Sequence, residues 1–251
     1  MARAAGITDR QLQHPEVERL SRDTYLPRAL SGDLRQRSAA VLLTAPAGAV
    51  LSHATAASLW GIAIPLQPID DRRVDLIVPA GSRAESRVDR RVHRMPVESD
   101  EITRHEHFAV TVRERTWRDL AARLRPPALL AVADQLLAHG CTVGELQRQL
   151  DRRPSGRGSA RARAVLPVAD GRAESPMESV LRWLLHAAGL PTPISSSPST
   201  RQGVSLSDGR ISRGPTGRCW WSSTATSTGS GPSSSTTCAG RTPSSRPGRR
   251  C

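Results

Sequence analysis

At Ile194 the chain changes character, and that break limits what can fold. Of the 57 residues from 195 to 251, 24 are Ser or Thr, and only Val204, Leu206 and Ile211 carry branched aliphatic side chains. Such a segment cannot bury enough apolar surface to offset ~1–2 kcal/mol of backbone entropy per residue. Residues 195–251 are therefore expected to form a disordered tail. Whatever folds must lie before them.

Charge follows the same division. The tail holds eight Arg and one acid, Asp208, for +7, whereas residues 1–194 hold 28 Arg against 22 acids, for +6. The chain has no Lys and no Asn, the pattern of a very GC-rich gene, so part of its basicity is codon bias. The folded part is only mildly basic. No run approaches the ~20 apolar residues of a membrane span, and no basic segment followed by an apolar core opens the chain. The reading is a cytosolic protein without a membrane partner. Cys141 stands alone in the ordered part, while Cys219, Cys238 and Cys251 lie in the tail and no C-x-x-C pair exists. These are read as free thiols and not as a zinc site.

Periodicity before the break mixes helices and strands, an α/β (α+β) composition. Ile7 to Leu12 reads as a short helix, and Val17 to Leu26 alternates as a hairpin or wing. Asp33 to Ala45 reads as an amphipathic helix, and Ser52 as the N-cap of a helix from His53 to Trp60 closed by Gly61. Arg73 to Val78 alternates like a half-buried strand, with Arg91 to Met95 and Phe108 to Val112 as partners in a small mixed sheet. Helices follow at Glu114 to Leu124, Pro126 to His139, Thr142 to Asp151 and Ala160 to Leu166. The helix beginning at Thr142 opens with a Thr142-x-x-Glu145 capping box. A helix capped by Ser175, with Pro176 at its first position, runs until Gly189 and Pro191 stop it.

Four strings together resemble one family of bacterial proteins. They are Ala5-Gly6-Ile7-Thr8-Asp9-Arg10-Gln11-Leu12, Ser52-His53-x-Thr55-Ala56-Ala57-x-Leu59-Trp60-Gly61, Glu114-Arg115-Thr116-Trp117-x-Asp119-Leu120-Ala121 and Glu174-Ser175-Pro176-Met177-Glu178. The family joins an N-terminal abortive-infection (type IV) antitoxin-like region to a C-terminal endonuclease-like domain of the very-short-patch-repair type. The resemblance covers about residues 4 to 194. It implies a partial winged-helix-like DNA-binding element at 1–28 and an antitoxin-like α/β domain at 29–170. Residues 171–194 would be the first helix of an incomplete, restriction-endonuclease-like domain, ahead of the tail at 195–251.

An intact member is expected to use Mg2+ held by converging carboxylates. Here only Glu178 stands at a position the family uses, and Ser175-x-x-Glu178 reads more simply as a capping box. The acidic strands that should follow are missing. Written as TGC-TGG-TGG-AGT-TCG-ACG-GCG-ACG, Cys219 to Thr226 shifted by two bases read Leu-Val-Glu-Phe-Asp-Gly-Asp, an acidic strand of the expected kind. The tail is thus expected to be an out-of-frame reading. The gene should carry a one- or two-base insertion or deletion near the codons for Ile194 to Ser199, with the alternative frame open beyond Cys251. Closed alternative frames in an independent isolate would make the tail genuine.

Other candidates are weaker. His105-Glu106-His107 resembles a metal fragment, but in a strand its two histidines lack a third ligand. Ser52 beside His53 reads as a cap next to a packed or surface histidine, and Trp60, Trp117 and Trp183 as core. Arg3, Arg10, Gln11, Gln13 and His14, with Arg19 and Arg22 on the wing, form the candidate DNA-contacting set. Arg83, Arg87, Arg90, Arg91 and Arg94 could extend it. The function expected is a DNA-binding, antitoxin-like regulatory protein of a defence or repair system that carries a non-functional nuclease remnant and needs no cofactor. Its partners would be duplex DNA, or a toxin or other protein. The competing expectation is a Mg2+-dependent endonuclease.

Overall fold

A computed structural model describes residues 6–67, 71–191, 211–213 and 219–221 of the 251. Two units emerge, Met1–Ser197 and Pro198–Cys251. In the first, α1 (Asp9–Leu12) is a single turn capped by Thr8, whose side chain accepts from the Gln11 amide while the Gln11 side chain accepts from the Thr8 amide. The hairpin β1 (Val17–Arg19) and β2 (Tyr25–Pro27) follows, with Arg19 opposite Tyr25. Its connection is fixed to the body of the unit. Thr24 Oγ1 lies 3.0 Å from Thr44 Oγ1 and accepts from buried Arg90, which also pairs with buried Asp89 at 2.7 Å.

Helix α2 (Leu34–Leu43) is capped by the Asp33 carboxylate on the Arg35 amide. After it come β3 (Val50–Leu51), α3 (His53–Leu59), β4 (Val74–Ile77), β5 (Arg90–His93), β6 (Ile102–His105) and β7 (Phe108–Thr111). These strands make one mixed sheet in the order β5-β4-β3-β7-β6. The β4–β5 and β3–β7 pairs are parallel, and the β3–β4 and β6–β7 pairs antiparallel. Val41, Leu51, Leu59, Val74, Leu76 and Phe108 form the core on this sheet.

The sheet differs from the sequence reading in two respects. All four residues of β4 are buried, not half of them, because Arg91, His93 and Arg123 cover the face that Asp75 presents. Strand β6 was not anticipated, since its one branched aliphatic residue, Ile102, opens it and only the polar Thr103, Arg104 and His105 follow.

The rest of the unit is helical: α4 (Arg113–Leu120), α5 (Pro126–Ala138), α6 (Val143–Arg152), α7 (Ser159–Val165) and α8 (Pro176–Ala187). Their ends follow local rules. Thr142 and Glu145 form the reciprocal capping box, Pro126 and Pro127 open α5, and Gly140 follows α5 at φ 92°. Trp117, Leu129, Leu136, Leu146 and Leu150 centre this second core, and Trp60 packs against both cores. Trp117 is fully buried, whereas Trp60 and Trp183 are only partly so.

Helix α8 packs on α5 through Arg182, which is buried and paired with Asp134 and, at 3.6 Å, with Asp170. Burial pushes the Asp134 carboxyl above its usual range. Met177, Leu181 and Leu184 lie on an exposed stripe of α8, while Leu185 and Trp183 are half-buried. Helix α8 therefore leaves Leu181 and Leu184 open and covers Trp183 and Leu185 in part.

In the second unit the structure describes one antiparallel pair, β8 (Ile211–Arg213) with β9 (Cys219–Trp221). The expectation of a tail without a fold otherwise lies outside the described residues. A two-stranded ribbon of this length is marginally stable at best in water. Among the described residues no helix is long and apolar enough to cross a membrane.

Candidate functional site

A cavity of about 630 Å³ opens in the first unit, where α3, β5, α4 and the segment after α6 meet. Two of the four family-like strings supply its walls, His53 from one and Arg115, Arg118 and Asp119 from the other. Helices α3 and α4 pack against each other, which joins strings separated by about sixty residues.

The floor is a buried ion network. Arg115 is 1% exposed, and its guanidinium is fully committed. It donates through Nε to Asp119 Oδ1 at 2.8 Å, through Nη1 to Glu101 and through Nη2 to the Pro96 carbonyl at 3.2 Å. Glu101 also accepts from the Glu98 amide at 2.9 Å and pairs with Arg153 at 3.5 Å. Asp119 is less well served. Its Oδ2 is buried without a hydrogen-bond partner, and burial raises its carboxyl above the usual range although Arg115 opposes the shift.

The histidine wall corrects the sequence reading. Ser52 makes no side-chain cap bond, and its Oγ lies 3.0 Å from His53 Nδ1, both residues being buried. Neighbours fail to face each other only inside a regular helix. His53 sits at φ 49°, which turns its ring back onto Ser52 and into the cavity. The His53 ring stacks on His93 with centroids 3.6 Å apart, and His93 Nε2 lies 2.8 Å from Asp75 Oδ1. Burial would raise the Asp75 carboxyl, but the His93 hydrogen bond and the neighbouring His53, His93 and Arg123 outweigh it and hold it low. Ser52 is wholly buried and so is not placed to act as a nucleophile.

Burial, then the neighbouring His93 and Arg123, push His53 down to about 3. The ring is therefore neutral at physiological pH. Below its ordinary value of 6.5 the unfolded chain takes a proton that the folded site refuses, so stability falls as pH drops from 6.5 toward 3. At about 1.4 kcal/mol per pH unit, the loss by pH 5 is about 2 kcal/mol. Asp119 works in the opposite sense, its contribution declining as pH rises above its unfolded value. Urea midpoints at pH 7.5 and 5.0 isolate the histidine when wild type is compared with His53→Gln. The variant should lose most of the difference, and an unchanged difference would assign it elsewhere.

The DNA-contacting candidates fall into three groups. Arg3 lies outside the described residues. Arg10, Gln11, Gln13, His14, Arg19 and Arg22 are exposed on α1 and the hairpin. Of these, Gln11 serves the α1 cap, and Arg19 donates to the Ser21 and Arg22 carbonyls and covers the Tyr25 ring. Most of the second arginine run is spent on acids: Arg87 binds Asp23 through both oxygens, Arg90 is buried, and Arg91 binds Asp71 and Asp75.

Only the Ser175 half of the expected Ser175-x-x-Glu178 box forms, and Glu178 caps one residue earlier. Its amide donates to Ser175 Oγ and its carboxylate accepts from the Glu174 amide at 2.9 Å. The His105-Glu106-His107 string is not a strand, because Glu106 and His107 form the β6–β7 turn, with Glu106 at φ 54°. Glu106 pairs with Arg35, while His105 rests against Trp60 and His107 against Phe108. Among the described residues no three His, Cys, Asp or Glu side chains converge as a metal site would need. Cys141 is a buried free thiol, pushed up to about 11 by burial and Glu114.

No family model matches the chain. Two uncharacterized proteins of Mycobacterium tuberculosis, MT2308 and Rv2248 from different strains, are each 41% identical to it over 76 residues. The match takes in 30% of this chain and 28% of either relative. The similarity therefore spans less than a third of those proteins.

Proposed function

We propose that this chain is a DNA-binding, antitoxin-like regulatory module, with α1 and the β1–β2 hairpin as a winged-helix-like contact element. One observation supports this above others. Two of the acids that dilute the charge of this element in the sequence are paired in space with arginines from outside it, Asp23 with Arg87 and Glu18 with Arg72 at 3.9 Å. Arg10 and Arg22 are left exposed and without an ion-pair partner among the described residues. A four-residue helix is only ~6 Å long, too short to lay several side chains along a groove. The element therefore holds phosphates more than it reads bases, and binding is weakly sequence-specific.

In this reading residues 171–194 are a nuclease remnant that does not cut. Glu178 is engaged at a helix start, and a lone carboxylate cannot hold Mg2+ for phosphate hydrolysis. The test is a gel shift on duplex DNA at low salt with wild type and an Arg10→Ser/Arg22→Ser variant, both incubated in parallel with supercoiled plasmid and Mg2+. The expected result is a wild-type shift, a clear loss in the variant and no nicking. Nicking abolished by Glu178→Ala would favour the Mg2+-dependent endonuclease. An equal shift by both proteins would move the contact surface away from the hairpin.

A further inference from the structure

The cavity beside α4 has no role in that reading, yet its walls carry a specific set of unmet demands. Five arginines line it, against only two carboxylates. Of these acids Glu101 is saturated by Arg115, Arg153 and a backbone amide. Arg157 is exposed at the rim with no ion-pair partner among the described residues, and Arg123 is one-third exposed with a single carboxylate neighbour, Asp75. The wall is therefore net positive and suits an anion. An anion by itself leaves the second demand unanswered. Asp119 is 4% exposed, lines the same cavity, and has one oxygen without a donor.

A ligand that satisfies both must carry negative charge at one end and a hydrogen-bond donor at the other. Inorganic phosphate fills little of a space of about 630 Å³, whose size is that of a pocket for a small molecule or cofactor. A nucleotide has the right parts, a phosphate for Arg123 and Arg157 and an amino or ring N–H group for Asp119. We propose that this cavity binds a nucleotide, with its phosphate on the rim arginines and a base N–H on Asp119 Oδ2. Neutral His53 borders the same space and adds one uncharged polar edge. Guanine, with its ring and amino N–H groups, can supply the one donor that Oδ2 lacks.

This site shares no residue with the DNA-contacting element, so the two readings stand or fall separately. Calorimetric titration of the full chain with GMP, inorganic phosphate and a 5′-phosphorylated duplex distinguishes the sources of the phosphate. GMP should bind at least tenfold more tightly than phosphate. Arg157→Ser, at an exposed position that does not endanger folding, should weaken GMP about tenfold. Asp119→Asn should weaken GMP about tenfold and leave phosphate unchanged, with a thermal melt confirming that it folds. Arg10→Ser/Arg22→Ser should leave GMP binding intact. Absence of GMP binding, equal affinity for GMP and phosphate, or GMP binding indifferent to both cavity variants would overturn the proposal. Tighter binding of the duplex that Arg157→Ser weakens, with no binding of GMP, would replace the free nucleotide by a strand terminus.

Discussion

Arg115→Met lowers the unfolding free energy by about 3–5 kcal/mol, the loss that follows when one partner of a buried ion network is removed. The arginine is 1% exposed and bonds Asp119, Glu101 and the Pro96 carbonyl, so its removal takes the cationic partner from Asp119 and weakens the pairing of Glu101, both buried. A second variant separates this cause from a mere loss of packing. Replacing Arg115, Glu101 and Asp119 together by methionine and leucines removes the buried charges and leaves only Arg153, whose side chain is partly exposed, without its carboxylate, so much of the stability should return. Urea unfolding of wild type, single and triple variants checks the prediction. A triple variant less stable than the single one would mean that the charges stabilise the fold in their own right.

Gly158→Ala is expected to cost about as much, by a backbone mechanism. Gly158 precedes α7 at φ +84°, and a Cβ built there lies 2.3 Å from the Ala121 carbonyl oxygen and 2.6 Å from the Ala122 amide nitrogen. Those atoms are main chain at the end of α4 and cannot rotate aside. Strain at positive φ contributes ~1–2 kcal/mol, and displacing α7 from the core brings the total to roughly 4 kcal/mol. The melting temperature should fall by ~10 °C. Gly61→Ala is the control, since it shares a positive φ of 73° but meets no atom within 4 Å. Equal losses at both positions would reduce the effect to backbone strain alone.

What the sequence made legible is what is decided within a few residues. The Thr142–Glu145 box, the Ser175 cap and the proline start of α5 each depend on neighbours three or four positions away, and each stands where its pattern places it. Strands β4 and β7 showed themselves through branched apolar runs, β5 only through the alternation around Val92, and β6, which has Ile102 alone at its start, did not show itself. The cavity was illegible for a different reason. His53 was read as packed or exposed, but its setting depends on a positive φ and on His93, forty residues away on a neighbouring element. Arg115 and Asp119 form an ordinary i,i+4 pair on paper. Only Glu101, brought in by the turn before β6, shows that the pair is buried. No local signal marked them, because five of the seven residues from Glu114 to Leu120 are polar or charged. The arginine run from 83 to 94 misled because net charge in sequence ignores partners in space. Asp23 and Asp71 cancel much of it from distant segments.

The central claim, that the N-terminal element holds duplex DNA by its phosphates, is tested most directly by affinity as a function of salt. Fluorescence anisotropy of a labelled duplex, titrated with the full chain between 50 and 200 mM NaCl, gives the slope of log K against log salt. With about two to four phosphates engaged, affinity should fall roughly 10- to 100-fold across that range. The Arg10→Ser/Arg22→Ser variant should show a slope shallower by about two. Affinity that does not change with salt, or no binding at 50 mM, would contradict the account.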